Sequence, residues 1–369
     1  MASPDLPLAG SQPTRIRRVK WLLLAAAIIL AAFFRLHRLE SLPPGDGYDP
    51  AYYGVDALQF LRGEPLSVML PPNREPLFSY LVTVTFILAG ASTMAIHLTS
   101  ALVGIVTVPL VYLAAEALFA SEDEALKRWA GPVAALMMAT SYWHLNWSRY
   151  GVRAILVPLF VAATLYALWR GLRTGTLAPF LLCGLSLGLS MYTYQAARLL
   201  PVLVVLGFVA AAWERGTVEN RDWLHLIVVA AVAVLVFAPL GLHFLTDPDS
   251  FSHRIEEALV VEGERSAAGN LRAVLDQALD AVLAFSLVGD RTPYSTIPGR
   301  PSLNPFLSAL LLVGIGVSLS RIRRPRYVFL FTSLLVMFIP ATLAGKGPTA
   351  KRAIGTLPAV AMLIAVGAL

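Results

Sequence analysis

The sequence predicts an all-α protein that crosses a membrane many times, and three observations support this fold class. Of the 369 residues, 57% are hydrophobic and only 14% are charged, whereas soluble globular proteins carry about a quarter charged residues. The mean hydropathy is +0.68. The apolar residues also lie in long runs that approach the roughly 20 residues a spanning helix needs. A soluble domain and an intrinsically disordered chain are therefore excluded.

About ten apolar runs are candidate transmembrane helices once their Ser, Thr, Gly and Tyr neighbours are included. They lie near residues 19–34, 98–118, 129–145, 154–169, 177–192, 199–213, 223–243, 303–320, 327–343 and 353–369. An eleventh run, 76–90, is ambiguous because it is short and ends in the Gly-rich stretch 90–93. The first run lacks the small-residue cleavage site of a signal peptide, so we expect it to be retained as a helix.

The basic residues predict the orientation of these helices. By the positive-inside rule, those at the start of the chain place the N-terminal tail, residues 1–18, in the cytoplasm; they are Arg15, Arg17, Arg18 and Lys20. If run 76–90 does not cross, four short basic loops also face the cytoplasm. These loops carry Lys127/Arg128, Arg170/Arg173, Arg215/Arg221 and Arg321/Arg323/Arg324/Arg326. If it crosses, all four lie outside. We therefore expect run 76–90 to form a buried, re-entrant or interfacial helix on the outer side.

Residues 19–369 are predicted to form one membrane domain with two long outer loops, 35–97 and 244–302. Loops of this length in a compact protein are usually functional, and most of the acidic residues lie in them. The second loop has a helical pattern over 270–287. The net charge of +6 is explained by orientation and lipid contact, so no nucleic-acid partner is expected. The single cysteine, Cys183, excludes an intramolecular disulfide.

Acidic residues follow the first predicted span directly. Asp46 and Asp49 lie in a Pro- and Gly-rich turn beside three tyrosines, Tyr48, Tyr52 and Tyr53. A partly desolvated carboxylate at the outer membrane boundary is suited to act as a general base. Alternatively, these acids cap a helix that starts at Pro50. The pair Arg74-Glu75 at the end of the same loop is either a further functional pair or a structural salt bridge at a helix start.

Several basic residues on outer loops oppose the orientation rule and need compensation. They are Arg149, Arg153, Arg198, Lys351 and Arg352. Arginine binds phosphate well because its planar guanidinium can donate to two oxygens at once, so the set predicts a site for a lipid phosphate at the outer leaflet. The alternative for each residue is contact with lipid headgroups. The sequence has no P-loop, no dinucleotide-binding Gly motif and no His-Glu-x-x-His zinc signature.

Taken together, these segments resemble the GT-C superfamily of membrane glycosyltransferases, in the branch of protein O-mannosyltransferases and aminoarabinose transferases. The matching segments are an Arg-x-x-Arg-Leu run at 35–39, the Pro-Pro-Gly turn, Asp49 before Ala-Tyr-Tyr, 74–77, 147–150, 192–194 with Arg198, and 351–358. The superfamily usually has Asp-Glu where this chain has Asp49-Pro50. The resemblance covers the chain from Trp21.

The resemblance implies a monosaccharide donor linked to polyprenyl phosphate and an acceptor hydroxyl on a glycan, lipid or protein. It implies that Asp49, with Asp46 in reserve, is the base. Residues expected to line the acceptor or sugar site are Glu75, Arg74, Tyr52, Tyr192 and Tyr194. Residues expected to bind the donor phosphate are Arg352, Lys351, Arg198, Arg149 and Arg153. Because Arg153 stands where the superfamily often has an acid, we expect no essential metal, and we expect no cofactor.

Two other functions remain open. A flippase for lipid-linked sugars usually has charges at mid-bilayer and inverted repeats, and neither is seen in the sequence. A noncatalytic assembly subunit would account for the missing second acid. The expected location is the plasma (inner) membrane, with the site on the extracytoplasmic side. The run that reaches Leu369 has no polar tail, which is typical of a chain truncated at its C-terminus.

Overall fold

The computed structural model describes residues 14–42, 47–71, 73–252, 259, 267–290, 296–345 and 349–369. Within these residues the fold is helical, and its only β-structure consists of isolated bridges at Leu70–Arg74 and Leu259–Ala344. The predicted Pro-Pro-Gly turn and Asp46 lie outside the described residues.

The helices are numbered here in chain order. They are α1 (Thr14–Leu36), α2 (Tyr48–Leu61), α3 (Leu77–Ala89), α4 (Thr93–Leu118), α5 (Glu124–Thr140), α6 (Tyr142–Tyr150), α7 (Leu156–Thr174), α8 (Leu177–Ser190), α9 (Leu200–Arg215), α10 (Asn220–Thr246), α11 (Ala267–Ser286), α12 (Pro305–Ser320), α13 (Pro325–Leu343), α14 (Thr349–Arg352) and α15 (Leu357–Ala368). Short 3-10 helices cover Arg153–Ile155, Gln195–Leu199 and Ala353–Thr356.

The structure confirms the predicted fold class of an all-α polytopic membrane protein. Among the described residues, seven helical segments are long and apolar enough to cross a membrane. They are Thr14–Leu36, Thr93–Leu118, Arg153–Thr174, Gln195–Arg215, Asn220–Thr246, Pro325–Leu343 and Thr349–Ala368. Shorter apolar helices include α8 and α12. Each of the predicted runs overlaps a helix, and α11 occupies the helical pattern predicted in the second long loop.

Ion pairs join several loops at one end of the bundle, which we call the 321–324 end. Arg324 pairs with Glu122 at 2.8 Å, and Arg326 pairs with Glu214 at 2.7 Å. These contacts bring together the ends of α4 and α9 and the connection after α12. The residues that follow α1, α6, α8 and α13 lie at the opposite end, which we call the site end.

Helices α2 and α3 lie together at the site end. Glu75, just before α3, pairs with Arg153 at 2.8 Å, while Ile96 and His97 in the first turn of α4 pack against Gly151. Both ends of α3 therefore lie near the 151–153 segment, which fits a helix that does not carry the chain across. Gly54 of α2 packs against Ile96.

The alternative in which Asp49 caps a helix starting at Pro50 is wrong. Helix α2 starts at Tyr48, its N-cap is Gly47, and Asp49 therefore lies inside the helix and not at its cap. Asp49 instead lies in the first helical turn, where a carboxylate is favoured by the partial positive charge of the free N–H groups. Its side chain is thus directed at another part of the chain.

A buried arginine fixes α1 against α5 and α6. Arg35 is fully buried, and its guanidinium donates to the carbonyls of Ala139 and Met138 at 3.1 and 3.0 Å. It also lies 2.6 Å from Nδ1 of the buried His144. These contacts satisfy carbonyls at the C-terminal end of α5, which lack helical partners.

Candidate active site

The site is centred on an ion pair between residues that are distant in sequence. The Lys351 ammonium donates to Oδ2 of Asp49 at 3.0 Å. The Asp49 side chain is 41% exposed and the Lys351 side chain is 21% exposed, so both groups lie at an open surface. This contact brings Asp49, near the start of α2, to the basic segment 351–352.

Tyr53 links this ion pair to the next group of charges. Its ring is buried, and its hydroxyl oxygen forms a hydrogen bond with the backbone of Arg153. Burial raises the pKa of the Tyr53 hydroxyl well above its usual range, and the nearby Asp49 carboxylate raises it further. Tyr53 is therefore neutral, and it ties α2 to the segment just before α7.

A second carboxylate holds two arginines. Glu75 has a side chain only 2% exposed, and its oxygens lie 2.8 Å from Arg153 Nη1 and 3.4 Å from Arg198 Nη2. Arg153 is only 5% exposed, and its guanidinium lies over the ring of Tyr194, 5.5 Å from the ring centre. Because a buried charge is costly unless it is paired, Glu75 is what allows both arginines to remain here.

Arg198 and Arg352 line a cavity of about 190 Å³ beside these charges. Arg352 donates to the hydroxyl of Tyr194, and its buried Nη1 has no hydrogen-bond partner among the described residues. The other side of the cavity is apolar and is formed mainly by α13, through Ile339, Pro340, Leu343 and Ala344. The cavity thus combines cationic donors with a hydrocarbon wall.

The basic segment is held in place by two distant side chains. Asp290 accepts hydrogen bonds from the backbone N–H groups of Thr349 and Ala350, both at 2.8 Å. The Trp143 indole donates to the carbonyl of Ala350 at 2.9 Å. Because α14 is only one turn long, these contacts fix the direction of Lys351 and Arg352.

A buried acid that the sequence analysis did not single out supports Arg74. Asp56 accepts two hydrogen bonds from the Arg74 guanidinium, at 2.8 and 3.0 Å, and a third from the Ser79 hydroxyl at 2.8 Å. The Arg74 guanidinium also lies over the ring of Tyr52 at 4.7 Å. The Arg74 guanidinium therefore has its partners within the protein. The Tyr52 ring, by contrast, is half exposed and lies near Asp49 at the start of α2.

Two predicted site residues lie apart from this cluster. The Arg149 guanidinium donates to carbonyls at and after the end of α1, including those of His37 at 2.9 Å and Leu42 at 3.1 Å. The N–H donors of Arg149 are thus occupied by carbonyl groups at the C-terminal end of α1. Tyr192 donates to the carbonyl of Val236 at 2.9 Å and accepts from the Leu240 N–H at 3.3 Å, so its hydroxyl bridges a gap in the α10 hydrogen bonds.

The described residues contain no group of three His, Cys, Asp or Glu side chains that converges on one point. The two site carboxylates, Asp49 and Glu75, contact cationic side chains instead.

The chain matches a family model and resembles solved structures. The family model for dolichyl-phosphate-mannose-protein mannosyltransferases matches residues 71–243, a segment that contains Glu75, Arg153 and Arg198. No curated protein matches the chain at the level of sequence.

Two solved structures resemble this one. The structure of ArnT from Cupriavidus metallidurans bound to undecaprenyl phosphate superposes with a TM-score of 0.62 at 16% identity, covering 96% of this chain and 60% of ArnT. The archaeal oligosaccharyltransferase AglB from Archaeoglobus fulgidus, in complex with an inhibitory peptide and a dolichol-phosphate, gives a TM-score of 0.60 at 16% identity, covering 95% of this chain and 50% of AglB.

The chain thus spans about half to three fifths of the length of these proteins. At this identity the likeness concerns the fold. It confirms the resemblance that the motifs indicated, and the chain has the fold of the GT-C superfamily of membrane glycosyltransferases.

Proposed function

We propose that this protein is a membrane glycosyltransferase that transfers a monosaccharide from a polyprenyl-phosphate-linked donor to an acceptor hydroxyl on the extracytoplasmic side. The observation that carries the proposal is the contact between Asp49 and Lys351, because it joins a candidate base to the segment that lines a cationic cavity. A transferase of this kind needs both features within the length of one sugar.

The cavity between Arg198 and Arg352 is the proposed site for the donor phosphate. The free donor of Arg352 and the guanidinium of Arg198 suit a phosphodiester, since arginine bonds phosphate oxygens in a charge-assisted way. The apolar wall from α13 suits the first part of a polyprenyl tail. The related ArnT structure contains undecaprenyl phosphate and the AglB structure contains a dolichol-phosphate, which supports this class of donor.

In the proposed reaction, the Asp49 carboxylate accepts the proton of the acceptor hydroxyl. The electron pair of the acceptor oxygen forms a bond to the anomeric carbon, and the bond from this carbon to the phosphate oxygen breaks. Its electron pair leaves with the polyprenyl phosphate, which gains one negative charge. Cations around the cavity stabilise that developing charge. Attack from the side opposite the leaving group inverts the anomeric configuration.

The role proposed for Glu75 follows from its burial. Its side chain is 2% exposed and contacts Arg153 and Arg198, which leaves it no direct approach to a sugar. We therefore assign it to positioning these arginines at the cavity, and the half-exposed Tyr52 remains a candidate for contact with the acceptor.

The experiment is a sugar-transfer assay in membranes with a panel of labelled undecaprenyl-phosphate-linked hexoses and pentoses. Asp49→Asn is expected to lower the rate by about 10²–10⁴-fold, the usual contribution of a general base. Arg352→Ala is expected to weaken donor use. Glu124→Gln and Arg323→Gln, at exposed positions of the 321–324 end, are the matched controls and are expected to retain wild-type rates. Full activity of Asp49→Asn would refute the assignment of the base.

A further inference from the structure

The two adjacent basic residues of α14 have different partners. The Lys351 ammonium contacts Asp49 at 3.0 Å, whereas the Arg352 guanidinium contacts Tyr194 and lines the cavity. The backbone of α14 is fixed by Asp290. Lys351 therefore contacts the candidate base, while its sequence neighbour Arg352 lines the proposed phosphate site.

The Asp49–Lys351 ion pair is suited to exchange. Both side chains are partly exposed, and exposed ion pairs contribute little to stability. Lysine has a flexible four-carbon chain and three donors, so its ammonium can rotate about a fixed backbone. By contrast, Arg153 is buried against Glu75 and has no comparable freedom.

A phosphate in the neighbouring cavity would compete with Asp49 for this ammonium. The competition becomes stronger as the reaction proceeds, because the leaving phosphate gains one negative charge. While the Lys351 ammonium contacts Asp49, the carboxylate must give up this contact before it accepts a proton. Once the ammonium has moved to the phosphate, Asp49 can accept the proton of the acceptor directly.

We propose that Lys351 exchanges Asp49 for the donor phosphate, so that donor binding releases the base and precedes productive use of the acceptor. This inference rests on the proposed function and adds an order of events to it. Without donor, the base is held by Lys351. With donor, the same ammonium stabilises the leaving group.

Zero-length cross-linking with a water-soluble carbodiimide tests the exchange without requiring activity. The reagent joins a carboxylate to a contacting amine, so the free protein is expected to give an amide between Asp49 and Lys351, identified by mass spectrometry. The Glu124–Lys127 pair at the 321–324 end, with a contact of 3.5 Å and greater exposure, gives an internal reference. Lys351→Met is expected to remove the first cross-link and to leave the second.

Saturating undecaprenyl phosphate is expected to lower the Asp49–Lys351 yield by about fivefold or more, because a ligand shifts a two-state contact by its differential affinity. The Glu124–Lys127 yield should not change. Undecaprenol tests the effect of the tail alone, and inorganic phosphate tests the free anion; neither is expected to reproduce the effect.

Binding is measured in parallel by the shift in thermal unfolding with undecaprenyl phosphate. Binding with an unchanged Asp49–Lys351 yield overturns the exchange and leaves the proposed function intact. Absence of binding, with no transfer in the assay above, overturns the proposed function itself. An equal loss of both cross-links would indicate a general effect on the reagent and would also refute a specific exchange.

Discussion

Asp56 and Arg74 form a two-point ion pair that joins the middle of α2 to the segment before α3. Nη1 and Nη2 of Arg74 lie 2.8 and 3.0 Å from the two carboxylate oxygens of Asp56, and both side chains are about 6% exposed. Asp49 is on the same helix as Asp56, and Glu75 is adjacent to Arg74. This pair therefore sets the position of one site carboxylate relative to the other.

Removing one member of this pair is expected to destabilise the protein strongly. Asp56→Ala leaves the buried Arg74 guanidinium without its partner, a change that typically costs about 3–5 kcal/mol. The double variant Asp56→Ala/Arg74→Ala is expected to lose less than the sum of the single variants, because no unpaired charge remains. Unfolding in detergent measures these differences. Glu124→Ala, which breaks exposed pairs at the 321–324 end, is the control and should cost no more than about 1 kcal/mol. Additive single effects would contradict direct coupling.

Glu75→Gln is expected to affect stability and donor binding together. The substitution removes the charge that compensates the buried Arg153, which costs about 3–5 kcal/mol in comparable pairs. Arg198→Gln is expected to cost less stability, since Arg198 is more exposed and also contacts the Phe251 carbonyl at 2.8 Å. Unfolding in detergent and binding of undecaprenyl phosphate are measured for both variants. Wild-type stability of Glu75→Gln with a raised KM for the acceptor alone would instead indicate direct contact with the acceptor.

The sequence predicted the fold class because membrane insertion is encoded locally. Apolar runs and basic loops are properties of single segments, and every predicted run overlaps a helix. Cations on loops predicted to lie outside were likewise visible as departures from a local rule, which led to Lys351 and Arg352. Asp49 was singled out by its Pro- and Gly-rich turn and by the resemblance of its segment.

The parts that the sequence did not predict depend on contacts between distant segments. Asp56 is one polar residue on a short helix, and only the structure brings it to Arg74. Asp290 is one of many acids in the second loop until its hydrogen bonds to α14 are seen. Conversely, Arg149 has the same sequence signal as Arg153, but its neighbours are carbonyls at the end of α1 and not carboxylates.

His144 is expected to make stability depend on pH. Burial lowers the pKa of its imidazole well below the usual value, and the nearby Arg35 lowers it further. The folded protein therefore binds fewer protons at His144 than the unfolded chain does. This contribution to stability is fully present above the unfolded pKa of about 6.5 and falls as the pH decreases below it, by up to about 1.4 kcal/mol per pH unit.

Unfolding in detergent between pH 7.5 and 5.5 measures this slope. His144→Asn offers an amide oxygen to Arg35 but does not titrate in this range, so the slope should diminish. His37→Asn changes an exposed imidazole and is expected to keep the wild-type slope. Equal slopes in all three proteins would show that His144 is not the titrating group.

The proposed orientation predicts which cysteines are reached from outside the cell. Ala91 is exposed between α3 and α4, whereas Arg323 is exposed at the 321–324 end. A membrane-impermeant maleimide should label Ala91→Cys in intact cells and Arg323→Cys only after permeabilisation. The native Cys183 is buried and gives a low background. The reverse labelling pattern would place Asp49 and Lys351 on the cytoplasmic side, where a sugar donor exposed to the outer leaflet cannot reach them. Labelling of both positions from outside would contradict the proposed crossings from α4 to α12, because an odd number of them separates the two residues.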